Sequence, residues 1–250
     1  MNSRPTEVAE FDERARAITG ALLESCRSMA ARLPDAPLDA PLNEANAVRY
    51  LLCLYVIGAI RSANEVCKSF QLVWFSGQFL VASMLTRMLI ELWGSIAFAE
   101  QRVLQVIEAG DPLKANAKMV QLIFGSKGGV RLHNLLPINE PAINVMEFVR
   151  AADALQSGAQ KDYEFLCDAA HPSYLANTFL VFAGSEHNSW SNEVFAKEMH
   201  EKLDRTLTIA DRALKGIVAS AMDVFERTLP QIEDDYRAAA KPPECGRSGP

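Results

Sequence analysis

The sequence predicts an all-α protein, a bundle of long antiparallel helices with shorter packing helices and one ordered loop region. Apolar residues recur at three- and four-residue steps through residues 5–32 and along the last long helix, as they do on the buried face of a helix. Prolines and glycines fall between these periodic stretches, which is where helices start and stop. The strand-like residues 178–182 stand alone, and an isolated strand has nothing to pair with.

The composition excludes a disordered chain and argues against a dedicated nucleic-acid binder. With 49% hydrophobic and 22% charged residues, the chain has enough apolar surface for a large core. Its net charge of −6 is opposite in sign to the basic excess with which proteins neutralise phosphates. Local basic patches keep nucleic acid open as a partner.

The pattern of cysteines predicts a cytoplasmic protein. The cysteines are odd in number, scattered and without a C-x-x-C spacing, which fits reduced thiols better than a disulfide framework or a zinc site. The first twelve residues carry acids and lack an apolar core, so we expect no signal peptide. The five cysteines are Cys26, Cys53, Cys67, Cys167 and Cys245.

Two apolar stretches are interpreted as buried helices and not as membrane spans. Residues 51–60 cover about half of the ~20 residues that a spanning helix needs. Residues 79–99 are longer, but Arg87 and Glu91 lie near their centre. Each charge at that depth costs at least ~2.5 kcal/mol in lipid.

The N-terminal part of the chain, residues 1–42, is predicted to be one helix followed by a linker. Apolar residues form a narrow stripe through residues 5–32, which suits a helix packed along a single seam. Residues 34–41 contain three prolines, and these remove backbone donors and disfavour the helical conformation. We expect the helix to dock as an arm on the body or on a partner.

Residues 43–237 are predicted to form the bundle domain, and residues 238–250 a disordered tail. The centre of the bundle domain is predicted to be a hairpin of two long helices, residues 44–75 and 78–108, separated by a break at Ser76-Gly77. Pro230 is expected to kink or end the last long helix. The other predicted elements are helices over 112–124, 141–156, 160–170 and from 191 or 192 to about 236, a glycine-rich loop at 125–129 and an ordered loop over 175–190.

Arg87 and Glu91 are the first candidate site residues. They are four positions apart on one face of a helix whose other positions are nearly all apolar. At least one of the two charges is therefore expected to point inward, where only a paired charge is tolerable. A structural ion pair is the first interpretation, and an anion-holding arginine or a general base in a cleft is the second.

The second candidate group is Tyr163, Cys167 and His171, which recur at four-residue steps before Pro172 ends the helix. The helix dipole favours a protonated histidine at this end. A Cys–His pair forms a nucleophile only where the thiolate is stabilised, so a histidine hydrogen-bonded in the core is the alternative, with Glu91 as its expected partner.

The sequence predicts neither a cofactor nor a metal site. Asp168-x-x-His171 has the spacing of half a carboxylate-bundle metal centre. Such a centre also needs a Glu-x-x-His motif on another helix, and the sequence has none.

Arg87-x-x-x-Glu91, followed far downstream by Tyr163-x-x-Leu166 and His171-Pro-Ser, resembles an uncharacterised bacterial all-helical family. That family carries a domain-of-unknown-function label and is loosely similar to HEPN-type bundles. The resemblance covers roughly residues 44–225 and implies a helical bundle, with RNA cleavage as the activity of its catalytic relatives. The chain departs from the pattern at Cys167, where a serine is expected, and it lacks an arginine just before His171.

The sequence therefore favours a soluble cytoplasmic binding or interaction protein with a buried Arg/Glu/His cluster and a protein partner. The stripes on its first and last helices favour a homodimer. The alternative is a HEPN-like nuclease or hydrolase that uses His171 with Arg87 and Glu91 in a cleft, where His171 acts as acid or base.

Overall fold

The computed structural model confirms the all-α class. Residues 13–18 are helical, and the longer helices that follow are α1 (Glu44–Phe75), α2 (Phe79–Glu108), α3 (Pro112–Phe124), α4 (Val145–Leu155), α5 (Ala159–Ala170) and α6 (Glu193–Asp223). The structure describes residues 13–18, 20–21, 24, 28, 44–109, 112–124, 130–132, 136–138, 142–170 and 193–232. The predicted loops at 125–129 and 175–190, His171 and the tail lie outside these residues.

A short antiparallel hairpin, which the sequence did not predict, follows α3. It consists of β1 (Val130–Leu132) and β2 (Leu136–Ile138), with Arg131 opposite Pro137. Three-residue strands are too short to show an alternating pattern, and a proline inside one argues against a strand. The sequence therefore could not indicate this hairpin.

The turn between α1 and α2 has the predicted glycine. Gly77 adopts a φ of 74°, a left-handed conformation that glycine reaches without a steric penalty. The N–H of Gln78 donates to the carbonyl of Val73 at 2.8 Å, and the N–H of Gly77 donates to that of Trp74 at 3.0 Å. These two bonds are the Schellman arrangement that ends an α-helix.

Two of the helices pass a simple length and composition test for membrane crossing. Among the described residues these segments are Val48–Phe75 and Phe79–Glu108, with 44% and 50% of their apolar windows buried. The core helices of a water-soluble bundle have the same length and composition, so this test does not separate the two cases.

The chain divides into two compact units. Unit 1 comprises Met1–Leu33, Ile57–Phe98 and Asn144–Ser220, and unit 2 comprises Pro34–Val56, Ala99–Ile143 and Ala221–Pro250. The core of unit 1 includes a cluster of buried side chains, namely Ala15, Phe70, Trp74, Ala82, Ala169, Met199, Leu203 and Leu207. Unit 2 buries Val48, Leu52, Val56, Val103, Ala115, Met119 and Ile232.

The predicted start of the fourth helix is wrong by four residues. The helix begins at Val145 and not at Pro141, because the side chain of Asn144 accepts a hydrogen bond from the N–H of Met146 at 3.0 Å. Asparagine is a preferred residue at this capping position, since it satisfies a donor that the first helical turn leaves without a partner.

The last helix does not end at Pro230. Residues 224–228 form a π-helical turn, the N–H of Leu229 donates to the carbonyl of Val224, and helical residues continue to Ile232. In a regular α-helix, proline lacks a backbone donor and its ring clashes with the carbonyl four residues earlier. The wider π turn accommodates both effects. In unit 2 this turn presents Thr228, whose hydroxyl donates to the buried Glu100 at 2.6 Å.

Candidate functional site

The candidate site is built on α5, and the α4–α5 connection fixes where α5 begins. Asp153 Oδ1 accepts hydrogen bonds from the N–H of Gly158 at 2.9 Å and of Gln160 at 3.1 Å. A carboxylate at this end of a helix satisfies the first donors and complements the helix dipole. Gly158 turns the chain with a φ of 104°, between the helices predicted over 141–156 and 160–170.

The buried face of α5 carries Tyr163, Leu166 and Ala169, which recur at three-residue steps. Asp162, one position before Tyr163, is also buried and pairs with α6. Its carboxylate accepts a hydrogen bond from Arg212, and Arg205 lies 3.7 Å away. Asp162 therefore carries polar contacts that hold this short helix against α6.

On α2, Arg87 and Glu91 form the ion pair that their spacing predicted. Arg87 Nε donates to Glu91 Oε1 at 3.0 Å. The side chains are 30% and 28% exposed, so the pair lies at the edge of the core and water reaches it. The predicted inward-pointing charge is therefore only partly buried.

Tyr163 completes the cluster from the other helix. Its hydroxyl donates to the same oxygen, Glu91 Oε1, at 3.0 Å. The guanidinium of Arg87 lies over the Tyr163 ring, 5.1 Å from the ring centroid, within the range of a cation–π contact. Three side chains from two helices are thus joined by two hydrogen bonds and a cation–π contact.

These contacts shift the pKa of both partners of Glu91. Burial by itself lowers the pKa of Arg87, but the hydrogen bond to Glu91 and the charges of Tyr163, Cys167 and Glu91 raise it overall. Burial and the charge and hydrogen bond of Glu91 raise the pKa of Tyr163 to about 12, and the charge of Arg87 offsets only part of this. Tyr163 is therefore a hydrogen-bond donor at neutral pH and not a phenolate.

Cys167 lies one turn after Tyr163 and is half-buried. Burial raises the pKa of its thiol above the ordinary value, although the charge of Arg87 and a hydrogen bond with Tyr163 act in the opposite direction. A nucleophilic cysteine requires the reverse, since the thiolate is the reactive form. At neutral pH Cys167 is a thiol that packs beside the cluster.

The structure thus brings together Arg87, Glu91, Tyr163 and Cys167 of the five predicted candidates. His171, the fifth, lies outside the described residues, so its predicted hydrogen bond to Glu91 stays a prediction. The described partner of Glu91 on α5 is the hydroxyl of Tyr163. Sequence reasoning missed Asp162, although an acid beside the buried-face residue Tyr163 was the available signal.

The part of the chain that the structure describes contains no group of three or more His, Cys, Asp or Glu side chains able to hold a metal ion. The cluster is suited to hydrogen bonding, because its carboxylate accepts from two donors and its arginine pairs with that carboxylate.

Comparisons with known proteins found no relative that extends this description. The chain matches no protein-family model, and it has no significant match among curated proteins or solved structures. The resemblance to HEPN-like bundles therefore stays a prediction.

Proposed function

We propose that this chain is a helical-bundle binding protein without catalytic activity, in which the Arg87–Glu91–Tyr163 cluster holds α5 against α2. The observation that carries the proposal is that Glu91 Oε1 accepts from both Arg87 Nε and the Tyr163 hydroxyl. One oxygen of the carboxylate that would serve as a base is thereby held by two donors within the protein. The partner proposed is a protein, and the setting proposed is the bacterial cytoplasm, which the five scattered cysteines support.

Typical energies support a structural role for this cluster. A partly exposed pair at i and i+4 on one helix contributes only about 0.3–0.5 kcal/mol, so the Arg87–Glu91 ion pair alone adds little to the stability of the fold. A hydrogen bond to a charged group contributes about 1.5–3 kcal/mol. The interhelical bond from Tyr163 is therefore the larger contribution, and it acts between elements far apart in the sequence.

The state of the other titratable groups points the same way. The raised pKa values of Tyr163 and Cys167 keep both groups protonated near neutral pH. A protonated phenol and a protonated thiol are weak nucleophiles. The cluster thus lacks an activated nucleophile among its described members.

The alternative is a HEPN-like nuclease or hydrolase with His171 as acid or base and Arg87 as the electrostatic stabiliser. One observation favours it: the Arg87 and Glu91 side chains are about 30% exposed, so a substrate phosphate could reach them. In this alternative Glu91 and His171 are both required for turnover, which makes the two proposals separable.

The experiment is a cleavage assay on single-stranded RNA and a model ester with the purified full-length chain. Glu91→Gln tests the cluster, and His171→Ala tests the alternative. Glu65→Gln is the matched control, because Glu65 is an exposed glutamate of α1 that pairs within its own helix with Lys68. The proposal predicts cleavage at background level for the wild type and for all three variants.

Cleavage by the wild type that disappears in Glu91→Gln and His171→Ala, but persists in Glu65→Gln, would overturn the proposal. It would establish the alternative in its place. Melting curves of each variant, recorded in parallel, separate a lost activity from a lost fold.

A further inference from the structure

The α1–α2 hairpin ends in a stretch without charged side chains. Residues 69–86 contain none, although 22% of the whole chain is charged. The two charged residues that bound this stretch, Lys68 and Arg87, are both basic. We call residues 72–82, which lie within about one helical turn of the connection between α1 and α2, the hairpin tip. The whole tip belongs to unit 1.

The hairpin tip exposes apolar side chains to solvent. Leu72 is 72% exposed, which is the highest value among the large hydrophobic side chains that the structure describes, and Val81 is 37% exposed. Apolar side chains exposed singly are ordinary on a protein surface, but a group of them around one turn indicates a binding surface. Four further apolar side chains of the tip are half-buried, namely Val73, Phe75, Phe79 and Leu80.

Buried aromatic side chains support the tip. The Trp74 ring is buried and stacks on Phe70 with ring centroids 5.4 Å apart, and the Phe79 ring meets it edge-on at 5.3 Å. Because Trp74 belongs to α1 and Phe79 to α2, this contact fixes the two helix ends against each other. The hydrogen bonds of the turn at Gly77 fix the chain between them. Leu72 and Val81 are thus exposed on a preformed base.

The charges nearest the tip are ordered in the same way on both helices. On α1, Lys68 lies about one turn nearer the tip than Glu65, with which it pairs at 2.7 Å. On α2, Arg87 lies about one turn nearer the tip than Glu91, with which it pairs at 3.0 Å. The base of each pair therefore lies between the acid and the tip, although the chain as a whole has a net charge of −6.

A third basic side chain reaches the tip from the N-terminal helical residues 13–18. This segment packs on unit 1 through Ala15, which is buried in the cluster that includes Trp74. The predicted docking of this helix on the body is therefore observed. The exposed Arg16 of the segment has its guanidinium over the Phe75 ring, 5.1 Å from the centroid. Arginine and lysine beside an apolar surface extend their charged groups into the polar layer next to it.

We propose that the hairpin tip docks the protein on an anionic phospholipid bilayer, with Leu72 and Val81 inserted into one leaflet and Arg16 and Lys68 at the headgroups. A peripheral protein buries its apolar face about 5–10 Å deep at this boundary. Lys68 lies four residues before Leu72, about 6 Å along the helix, so the two side chains match the polar and apolar layers. The absence of charge over residues 69–86 keeps the cost of leaving water low.

The size of the tip favours a lipid surface over a protein partner at this position. A stable protein–protein interface takes about 20–30 residues from each side, and the tip has far fewer. A fluid bilayer accommodates a small convex tip, and the cytoplasmic leaflet supplies the anionic headgroups that the basic side chains complement. The inference goes beyond the proposed binding function, and it places no helix across the membrane.

Vesicle flotation with the full-length chain tests the docking. The chain is incubated with vesicles of phosphatidylcholine alone, or of phosphatidylcholine with phosphatidylserine, and the bound fraction is measured after flotation through a density gradient. The tip variant is Leu72→Gln/Val81→Gln, which exchanges two exposed apolar side chains for polar ones that helices accept. The matched control is Leu155→Gln, at an exposed leucine that ends α4. Melting curves of each variant confirm that it is folded.

A second readout does not depend on losing an interaction. Leu72→Trp places an indole at the tip, where its exposure accommodates a larger side chain. On addition of phosphatidylserine vesicles, its emission should shift to shorter wavelength relative to the wild type, because the indole enters an apolar layer. Leu155→Trp, the matched control, should show no such shift.

The proposal predicts several-fold more flotation of the wild type with phosphatidylserine than without it. It also predicts that the tip variant loses most of this binding while Leu155→Gln retains it. A wild type that floats with neither kind of vesicle would overturn the proposal and leave the tip to a protein partner. Equal flotation of the tip variant and the wild type, or equal shifts in the two Trp variants, would overturn it too. A failure of the proposed function shows instead as RNA or ester cleavage that depends on Glu91.

Discussion

The hydroxyl of Tyr163 donates to Oε1 of Glu91 at 3.0 Å and thereby joins α5 to α2 across 72 positions of the sequence. The neighbouring carboxylate of Asp162 joins the same short helix to Arg212 of α6. Helix α5 has only 12 residues, and isolated helices of that length are marginal in water. These two contacts, together with the buried Leu166 and Ala169, account for its position in unit 1.

Ionisation of Tyr163 should occur about two pH units above that of an ordinary tyrosine. Its pKa is raised to about 12, whereas the unfolded chain has the usual value near 10. The folded state therefore holds this proton more tightly, and its stabilising effect is complete below pH ~10 and is lost as the pH rises towards 12.

The measurement is the tyrosinate absorbance of the wild type and of Tyr163→Phe between pH 9 and 11. Because Tyr163 stays protonated there, we expect nearly the same signal from both proteins. A wild-type signal larger by one full tyrosinate at pH 11, with the fold intact, would show that Tyr163 has an ordinary pKa.

Removing the carboxylate of Asp162 should destabilise the protein more than removing an exposed one. Asp162→Ala removes the acceptor of the Arg212 hydrogen bond and the carboxylate charge beside Arg205, and a hydrogen bond to a charged group contributes about 1.5–3 kcal/mol. Asp211→Ala on α6 is the matched control, since its partner Lys215 is 75% exposed and such pairs contribute at most about 1 kcal/mol. Urea denaturation of the two variants compares these losses, and equal losses would contradict the buried pairing.

Gly94 should not tolerate a side chain. A Cβ at this position would lie 2.0 Å from the carbonyl oxygen of Phe148, a backbone atom that cannot rotate away. Gly94→Ala therefore forces α2 and α4 apart, and overpacking of this kind costs about 1–3 kcal/mol or more. The free energy of unfolding measures this loss.

Gly58 provides the matched control for Gly94, because it is a helical glycine of α1 with open space where a Cβ would stand. Gly58→Ala should raise the free energy of unfolding by about 0.5–1 kcal/mol through the lower flexibility of the unfolded chain. If Gly94→Ala proved as stable as Gly58→Ala, the close approach of α2 and α4 would be incorrect.

The sequence predicts the long helices well, because their apolar period and their punctuation agree. The bounds of α1 and α3 match the predicted residues, and α2 starts one residue later than predicted. A local rule fails where a competing local interaction decides, since the Asn144 cap displaces the start of α4. Of the two outcomes expected at Pro230, a kink or an end, the structure excludes the end, because a π turn lets helical residues continue to Ile232. Strands of three residues leave no periodic signal.

For the candidate site, spacing along one helix predicted a contact within that helix. The contacts between helices could not be predicted from the sequence. The four-residue step from Arg87 to Glu91 predicted their pairing, which the structure confirms. The partner of Glu91 on α5 could not be chosen from the sequence, because Tyr163, Cys167 and His171 share one helical period and only packing selects among them. The Asp162 contacts depend on α6 in the same way.

The coupling free energy between Tyr163 and Glu91 tests the structural role of the cluster most directly. It is obtained from the urea denaturation of the wild type, Tyr163→Phe, Glu91→Ala and the double variant. A parallel control cycle uses Glu65→Ala, at an exposed position, in place of Glu91→Ala. The account predicts a coupling of about 1–2 kcal/mol for Tyr163 with Glu91, and a value within about 0.5 kcal/mol of zero for Tyr163 with Glu65. A coupling near zero in both cycles would contradict it, because the Tyr163–Glu91 bond would then not hold α5 against α2.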